Sequence, residues 1–482
     1  MKRIFVFISL IFCVSCLPDS EVYESINPSV FPKTEDDAIS LLATSYIPVT
    51  VQGFYSSDVS GLISTTELIT DIGNCQWTSY WLNLLDLQMF PFVTEYTKFY
   101  GKLNHISLLT QNIDLIAGLE ISEERKKLFI AELQCLRGWI NYILYDLYGP
   151  IPIIPLEVIE KPLEQVRIKR ASTEEMVSYI EADLLAAISN LPYVAEEYGR
   201  ATKGLANMVL LKLYMHEKKW DKAENIAREL CKEEYGYELM NDYSSIFTLE
   251  NERNKEIIFA SSCDRTIGHS WYAHVLPIDY PGENPNYTKW GGYRIDWDFY
   301  NTFEEFDDRK KMICAEYVSA SDGITYNQEN KGSQLTKGAV PLKYGDDMQC
   351  TGTVMQTDWI IFRFADVKLM LAEAIVKKNN VVTQEAIDLV NEIRIRAKLS
   401  PLVLSDYLNV DKFNEMLLME RGHELWYEGH RRSDLIRFGK YVEYMRKKEN
   451  GRLIVDEHNI LFPIPQSAIN EGKGVLIQNP GY

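Results

Sequence analysis

The segment that decides the fold runs from Glu420 to Gly439 and reads ERGHELWYEGHRRSDLIRFG. It is dense in Glu, Arg, His and Asp, and two interpretations of that density are open. The cluster could be a catalytic acid–base site, or a helix whose ion pairs and aromatic side chains hold the fold. His423 and Glu424 begin a zinc-protease-like string, but Tyr427 occupies the position that the second His requires. Because zinc binding there needs two His on one helix face, the segment predicts no zinc site.

Helical periodicity is also present far from this segment, in the N-terminal half of the chain. Residues 124–147 carry apolar side chains mostly three and four positions apart, which predicts a long helix. Gly149 and Pro150 end that pattern. Ser172 and Glu175 form a capping box, which predicts the start of another helix.

Two further stretches predict helical hairpins. In residues 204–231 the turn precedes Asp221, which we predict to be the N-cap of the second helix. Small Ala side chains at the helix crossing and the aromatic Trp220 at the turn resemble a tetratricopeptide unit. Residues 364–397 predict a second unit of this kind, although the period is too irregular to establish a longer array. The sequence therefore predicts a mainly α fold with tetratricopeptide-like helix pairs.

Residues 232–360 differ from the rest, because they are rich in Gly, Pro, Asn, Asp and aromatic residues and show little helical period. Glu256 to Ala260 predicts a short strand. Long irregular stretches inside compact proteins are usually functional or disordered, and the many Trp and Tyr residues argue against disorder. We therefore predict four parts. They are a signal peptide at 1–15, an N-terminal helical part at 16–231, a loop-rich ligand-binding part at 232–360 and a C-terminal helical part at 361–482.

The N-terminus indicates the compartment. A basic start precedes an apolar run over residues 4–14, which is shorter than the ~20 residues that span a bilayer and is typical of a secretory signal peptide. Small Ser15 before Cys16 resembles a bacterial lipoprotein processing site, which predicts Cys16 as the lipid-bearing first mature residue. Cys13 is a poorer candidate because bulky Phe12 lies at its cleavage side, and an ordinary signal peptide is the remaining alternative.

Acidic residues soon after Cys16 resemble the signal that sends some lipoproteins to the cell surface. Asp plus Glu number 69 and Lys plus Arg 50, for a net charge of −19. This balance argues against nucleic acid, whose phosphates need a basic surface, and against anionic lipid. It favours a neutral ligand or a protein partner.

The remaining cysteines lack any Cys-x-x-Cys pair, so neither a zinc ribbon nor a redox motif is indicated. We expect buried free thiols. The compartment would also permit a disulfide among Cys263, Cys314 and Cys350.

Several separated blocks, in their order along the chain, resemble the SusD/RagB family. Tyr148–Pro152 and Arg170–Pro192 fit the family as well. The main blocks are Arg363–Val367 with Ala372–Ala374, Asn391–Ala397, Glu420–Gly439, Phe462–Pro465 and Gln478–Tyr482. Any one block would be weak, but together they are specific, and the resemblance extends over nearly the whole chain.

The resemblance implies a right-handed helical superstructure with tetratricopeptide-like pairs and a loop-rich insertion that carries the ligand surface. It also implies an outer-membrane lipoprotein, facing the cell exterior, that partners a SusC-like TonB-dependent transporter and binds oligosaccharides without chemistry. In this family the segment at 420–439 is structural, so we favour that interpretation. One departure concerns a possible ligand loop: Phe92, Tyr96 and Asn104 occupy places where the family often has Trp, Tyr and Asn.

Aromatic residues concentrate between 271 and 300, among Gly, Pro and Asn rather than at helical spacing. An aromatic ring matches the apolar C–H face of a sugar, while Asn, Asp or Arg matches its hydroxyls. The alternative is that these rings fill a core, since Trp is highly buried on average. His269 and His274 are predicted to be surface residues. The candidate ligand-binding residues are Trp77, Trp271, Tyr287, Trp290 and Tyr293.

The sequence contains no nucleophile elbow, phosphate loop or dinucleotide motif. We therefore predict no catalytic residue, no metal and no cofactor. Two alternatives stay open: a lipoprotein that binds peptide or another non-glycan nutrient, and an extracellular glycosidase.

Overall fold

The computed structural model describes residues 31–58, 61–77, 98–448 and 455–482 of the 482-residue chain. The predicted lipidation site Cys16 lies outside the described residues, as do Phe92 and Tyr96. Helices dominate and the strands are short, so the prediction of a mainly α fold is confirmed. No described helix has the length and apolar character that crossing a membrane requires.

The helices were correctly located from the sequence in the segments with the clearest periodicity. The helix predicted at 124–147 spans Glu123–Tyr148, and Ser172 forms the predicted capping box with Glu175. In chain order the α-helices are α1 Glu35–Tyr46, α2 Leu62–Glu67, α3 Leu103–Ala117, α4 Glu123–Tyr148, α5 Leu156–Ile159, α6 Thr173–Asn190, α7 Lys203–His216, α8 Trp220–Leu230, α9 Trp271–Val275, α10 Trp297–Tyr300, α11 Phe364–Asn379, α12 Gln384–Arg396, α13 Val410–Leu425, α14 Arg431–Arg437, α15 Tyr441–Lys447 and α16 Gln466–Gly472.

Both predicted hairpins are present, as α7–α8 and α11–α12. The predicted N-cap was wrong: α8 begins at Trp220 with Lys219 as its N-cap. Asp221 lies in the first turn instead, where its carboxylate is 2.8 Å from Lys378 Nζ of α11. An acidic residue in that turn is also favoured by the helix dipole.

The helices pack as a row in which each element contacts the next. Helix α3 packs on α4, α4 on α6, α6 on α7, α7 on α8, α8 on α11 and α11 on α12. Helices α8 and α11 are therefore neighbours in the row, although a long stretch of sequence separates them. This stretch forms an insertion, and it includes most of the predicted loop-rich part.

The strands form antiparallel two-stranded pairs, mostly within this insertion. The pair β2–β8 joins its beginning to its end, and the strand expected at 256–260 spans Ile257–Ser261. The strands are β1 Gly73–Cys75, β2 Ile257–Ser261, β3 Tyr293–Ile295, β4 Ile313–Cys314, β5 Tyr317–Val318, β6 Thr325–Tyr326, β7 Val340–Pro341 and β8 Trp359–Arg363, paired as β1–β3, β2–β8, β4–β7 and β5–β6.

The cysteines of the described residues are unpaired thiols, so Cys263, Cys314 and Cys350 form no disulfide among themselves. Cys75, Cys135 and Cys350 are buried as expected. Cys231 is exposed, because it follows the last turn of α8.

A buried ion network joins the insertion to the C-terminal helices. The carboxylate of Glu424 on α13 contacts the guanidinium groups of Arg363, Arg396 and Arg309, the last at 3.3 Å. Burial by itself would raise the pKa of Glu424, but Arg396, Arg363 and Arg309 together lower it to about 2. Glu424 therefore stays ionised in the core at neutral pH.

We expect Glu424→Gln to lower the free energy of unfolding by about 3–5 kcal/mol, because it leaves buried guanidinium groups without their shared counter-charge. The control is Glu385→Gln, which removes an exposed pair with Arg228 at 2.7 Å and should cost at most about 1 kcal/mol. Chemical unfolding of both variants measures the difference. Equal stabilities would show that the buried network does not hold the fold.

Candidate functional site

Two tryptophans from distant parts of the sequence lie together at the surface. The indole Nε1 of Trp77 donates to the backbone oxygen of Trp290 at 3.2 Å. Trp290 is 42% exposed, whereas Trp77 is half-buried. We call these two residues the tryptophan pair. The structure thus brings together the candidate outside the aromatic cluster and the exposed member of that cluster.

Backbone contacts fix the position of both rings. The Trp77 ring lies directly over Gly292, where the methyl group of an alanine would be 2.5 Å from the ring. The Trp290 amide donates to Ala273 O at 2.7 Å, and the Gln76 amide donates to Gly292 O at 2.8 Å. The close approach explains why glycine stands at 292, since any side chain there would displace the indole.

A buried histidine supports the pair from below. The His274 ring packs against Trp290 with centroids 4.8 Å apart, against Trp77 at 5.7 Å, and stacks on Tyr293 at 5.0 Å. Its Nε2 is 3.5 Å from the exposed carboxylate of Asp58. His274 and His269 are only 1% and 2% exposed, so the prediction that they are surface residues was wrong.

Polar side chains border the pair on one side. Gln76 Nε2 donates to Ser333 O at 3.2 Å, and Thr336 Oγ1 donates to Gln76 Oε1 at 2.7 Å. Gln334 contacts the same turn, because its Oε1 lies close to Gly291. The arrangement offers aromatic faces next to amide and hydroxyl groups.

The other aromatic candidates belong to the core, which contradicts the expectation that they are exposed. Trp271 is 1% exposed; its Nε1 donates to Pro341 O at 3.2 Å, and its ring packs against Trp359 and Tyr427. Tyr293 is fully buried beneath the pair. These rings turn inward because neighbouring strands and helices enclose them, so they present no face to a ligand.

Tyr287 is also buried, and its hydroxyl both accepts and donates a hydrogen bond. It accepts from the Asp347 amide at 2.7 Å and donates to the Asp347 carbonyl at 3.1 Å. The residue thus closes a loop and does not face solvent.

Residues 420–439 have the geometry of a structural cluster. Their carboxylates are buried and bound to arginines, as in the Arg421–Asp434 pair at 2.8 Å. Burial opposes ionisation of Asp434, but Arg421 and Arg437 lower its pKa to about 2. Burial and the surrounding arginines lower the pKa of His423, which therefore stays neutral. Groups with such pKa values exchange no protons near neutral pH, so they lack the property that a general acid or base needs.

No group of three or more His, Cys, Asp or Glu side chains within the described ranges is arranged to hold a metal ion. Sequence reasoning missed His274 as the support of the pair. A local signal was present, because Trp271 and His274 are three residues apart on one helical turn and face one interior.

Two family models match the chain. One, described as "SusD family", matches residues 293–482, and the other, described as "Starch-binding associating with outer membrane", matches residues 51–215. SusD-like protein P25 of Formosa agariphila is 23% identical over 100% of this chain and 99% of its own length. Starch-binding protein SusD of Bacteroides thetaiotaomicron is 25% identical over 73% of this chain and 72% of its own. Among solved structures, a laminarin-binding SusD-like protein, 22% identical, superimposes with a TM-score of 0.76 over 94% of this chain and 100% of its own.

Core and surface tryptophans should differ in their effect on stability. Trp271→Ala should cost about 3–5 kcal/mol of unfolding free energy, because it empties a closed part of the core. Trp290→Ala should cost no more than about 1 kcal/mol, since much of its ring already contacts water. Thermal and chemical unfolding of the two variants provides the measurement, and equal losses would place Trp290 in the core.

Proposed function

Because the chain belongs to the SusD family, we propose that it is a cell-surface glycan-binding subunit. In this role it captures oligosaccharides and delivers them to a SusC-like TonB-dependent transporter of the outer membrane. Association with the outer membrane accords with the description of the matching family model.

The observation that carries the proposal is the tryptophan pair. The exposed Trp290 ring packs against His274, and the Trp290 amide is held by Ala273 O, so the ring can stack on the C–H face of a pyranose with little loss of side-chain entropy. The amide and hydroxyl groups of Gln76 and Thr336 can then exchange hydrogen bonds with sugar hydroxyls. Neither group carries a charge, which suits a neutral glycan and the chain's overall charge of −19.

The site combines two of the predicted parts of the chain. Trp77 comes from the N-terminal helical part and Trp290 from the loop-rich part, so we propose that the ligand lies across both. Tyr293 supports this surface from inside through its stack on His274, and Trp271 packs against Tyr293.

Replacing Trp290 by Ala should weaken glycan binding by about ten- to a hundredfold, because about 1–3 kcal/mol of ring burial is lost. Trp77→Ala should act in the same direction. Phe306→Ala is a matched control, since Phe306 is an aromatic residue with 77% exposure outside the pair. Calorimetry with soluble starch and laminarin, followed by a wider glycan panel, measures the affinities.

Unchanged glycan binding by both Trp variants would overturn the platform. Binding of peptides, but of no glycan, would favour the non-glycan alternative. We propose that no turnover accompanies binding, so chromatography of a bound glycan after incubation should show no shorter products. Products whose formation depends on one carboxylate would instead favour a glycosidase.

Cys16→Ala should release the protein from membranes into soluble fractions, because we propose that the lipid on Cys16 is its anchor. Fractionation and protease treatment of whole cells measure location and exposure. Retention of the variant at the protease-accessible surface would show that Cys16 is not the anchor.

Mild-detergent purification of the wild-type protein should recover a TonB-dependent barrel. An interface of about 2,000 Å² or more would be needed for a stable complex. Recovery of this chain alone would count against delivery to such a transporter.

A further inference from the structure

A cavity of about 390 Å³ lies between α4, α7 and α14, away from the tryptophan pair. Small-molecule sites occupy roughly 300–1,000 Å³, so the cavity could enclose one small ligand but no polymer. Its walls are mainly aromatic and aliphatic. Lys218 and Thr173 lie at its exposed rim.

Two hydroxyl groups of its wall have unused hydrogen-bonding capacity. The Tyr142 hydroxyl has no hydrogen-bond partner among the described residues, although the residue is only 9% exposed. The Tyr55 hydroxyl accepts from Trp139 Nε1 at 3.2 Å but donates to no described group. Polar groups in a largely apolar wall are normally hydrogen-bonded, so the unpartnered Tyr142 hydroxyl and the unused donor of the Tyr55 hydroxyl call for a polar occupant of the cavity.

His430 also lines the cavity, but its Nε2 is enclosed by protein and does not face the open space. Its Nδ1 is 3.0 Å from Lys212 Nζ, which can only donate, so Nδ1 accepts and Nε2 carries the ring proton. Burial and the nearby Lys212 lower the pKa of His430 to about 4, which leaves the ring neutral at pH 7. Nε2 has no hydrogen-bond partner within the described part of the chain; Asp366 Oδ2 is 3.7 Å away.

The charged groups in the interior of the wall, by contrast, are already neutralised by ion pairs. Asp146 is 2.9 Å from Arg432, and Lys212 is 2.7 Å from Asp366. Arg437 is 2.7 Å from Glu373. Lys218 at the rim is exposed to water, which screens its charge. A charged ligand would therefore find no free counter-charge inside the cavity, whereas a neutral molecule with several hydroxyls would satisfy the two phenols.

We propose that this cavity is a second binding site, which takes one small neutral polyhydroxylated molecule of the size of a mono- or disaccharide. The aromatic rings of Tyr55 and Tyr142 would contact its C–H groups, and their hydroxyls would contact its oxygens. The site is independent of the tryptophan pair and would hold its ligand whether or not a polymer is bound there.

The test uses the mature protein carrying Trp290→Ala, so that binding at the tryptophan pair does not contribute. Glucose, galactose, mannose and N-acetylglucosamine are the probes, with glucosamine and glucuronate as charged analogues. Saturation-transfer NMR and calorimetry at millimolar ligand should detect at least one neutral probe and neither charged analogue.

Tyr142→Phe should weaken that binding about three- to tenfold, since it removes one neutral hydrogen bond. Tyr100→Phe is the control, because Tyr100 also has a buried hydroxyl without a partner among the described residues but does not line the cavity. Ile436→Trp should abolish binding by filling the space. Melting curves establish whether each variant is folded. If Ile436→Trp does not fold, the result for Tyr142→Phe tests the proposal by itself.

Three results would overturn the proposal. They are no binding of any neutral probe, binding that is unaffected by Tyr142→Phe, and a crystal structure at high sugar concentration with ordered water alone in the cavity. Because a polar cavity of this size readily holds water, the last result would explain the unpartnered groups without a ligand. Loss of polymer binding in Trp290→Ala, with sugar binding retained, would separate this site from the proposed platform.

Discussion

The fold depends on charges that have been removed from water and must neutralise one another. Glu424 shares its carboxylate among guanidinium groups from three places: Arg309 in the insertion, Arg363 at the end of β8 and Arg396 at the end of α12. A buried ion is costly unless it is paired and hydrogen-bonded. Burial of Glu424 therefore requires all three arginines to be in place, and this requirement couples the folding of the insertion to that of the helical row.

Other buried ion pairs of the segment from Glu420 to Gly439 likewise connect distant parts of the chain. Arg431 reaches Asp71 near the N-terminal helices at 2.7 Å, and Arg432 reaches Asp146 of α4 at 2.9 Å. One short stretch of sequence thus binds elements from most of the chain. Its density of charged residues reflects a structural hub, and the depressed pKa values of its acids follow from that arrangement.

The elements that could be predicted from the sequence are those determined by near neighbours. Helix α4, the capping box at Ser172 and the two hairpins follow from residues three or four positions apart. The burial of individual rings could not be predicted: Trp271 and Trp290 both lie near glycine residues in the sequence, yet Trp271 is in the core and Trp290 at the surface. That difference depends on Trp359 and Tyr427, which enclose Trp271 from far along the chain. The pairing of Trp77 with Trp290 depends likewise on the β1–β3 register, in which Cys75 lies opposite Tyr293, and no local pattern indicates such a register.

Strands β2 and β8 pair in antiparallel fashion, with Ile257 opposite Arg363, so the insertion leaves and re-enters the helical row at almost the same place. A chain segment whose ends meet can change in length and content while the scaffold keeps its shape, and this makes residues 262–358 a natural unit for exchange between related proteins. The exchange carries one constraint. Arg309 and Lys343 within this unit contact Glu424 and Glu428 of the scaffold, so a donor segment without two equivalent cations would leave these buried acids with fewer positive charges around them, because only Arg363 and Arg396 would remain.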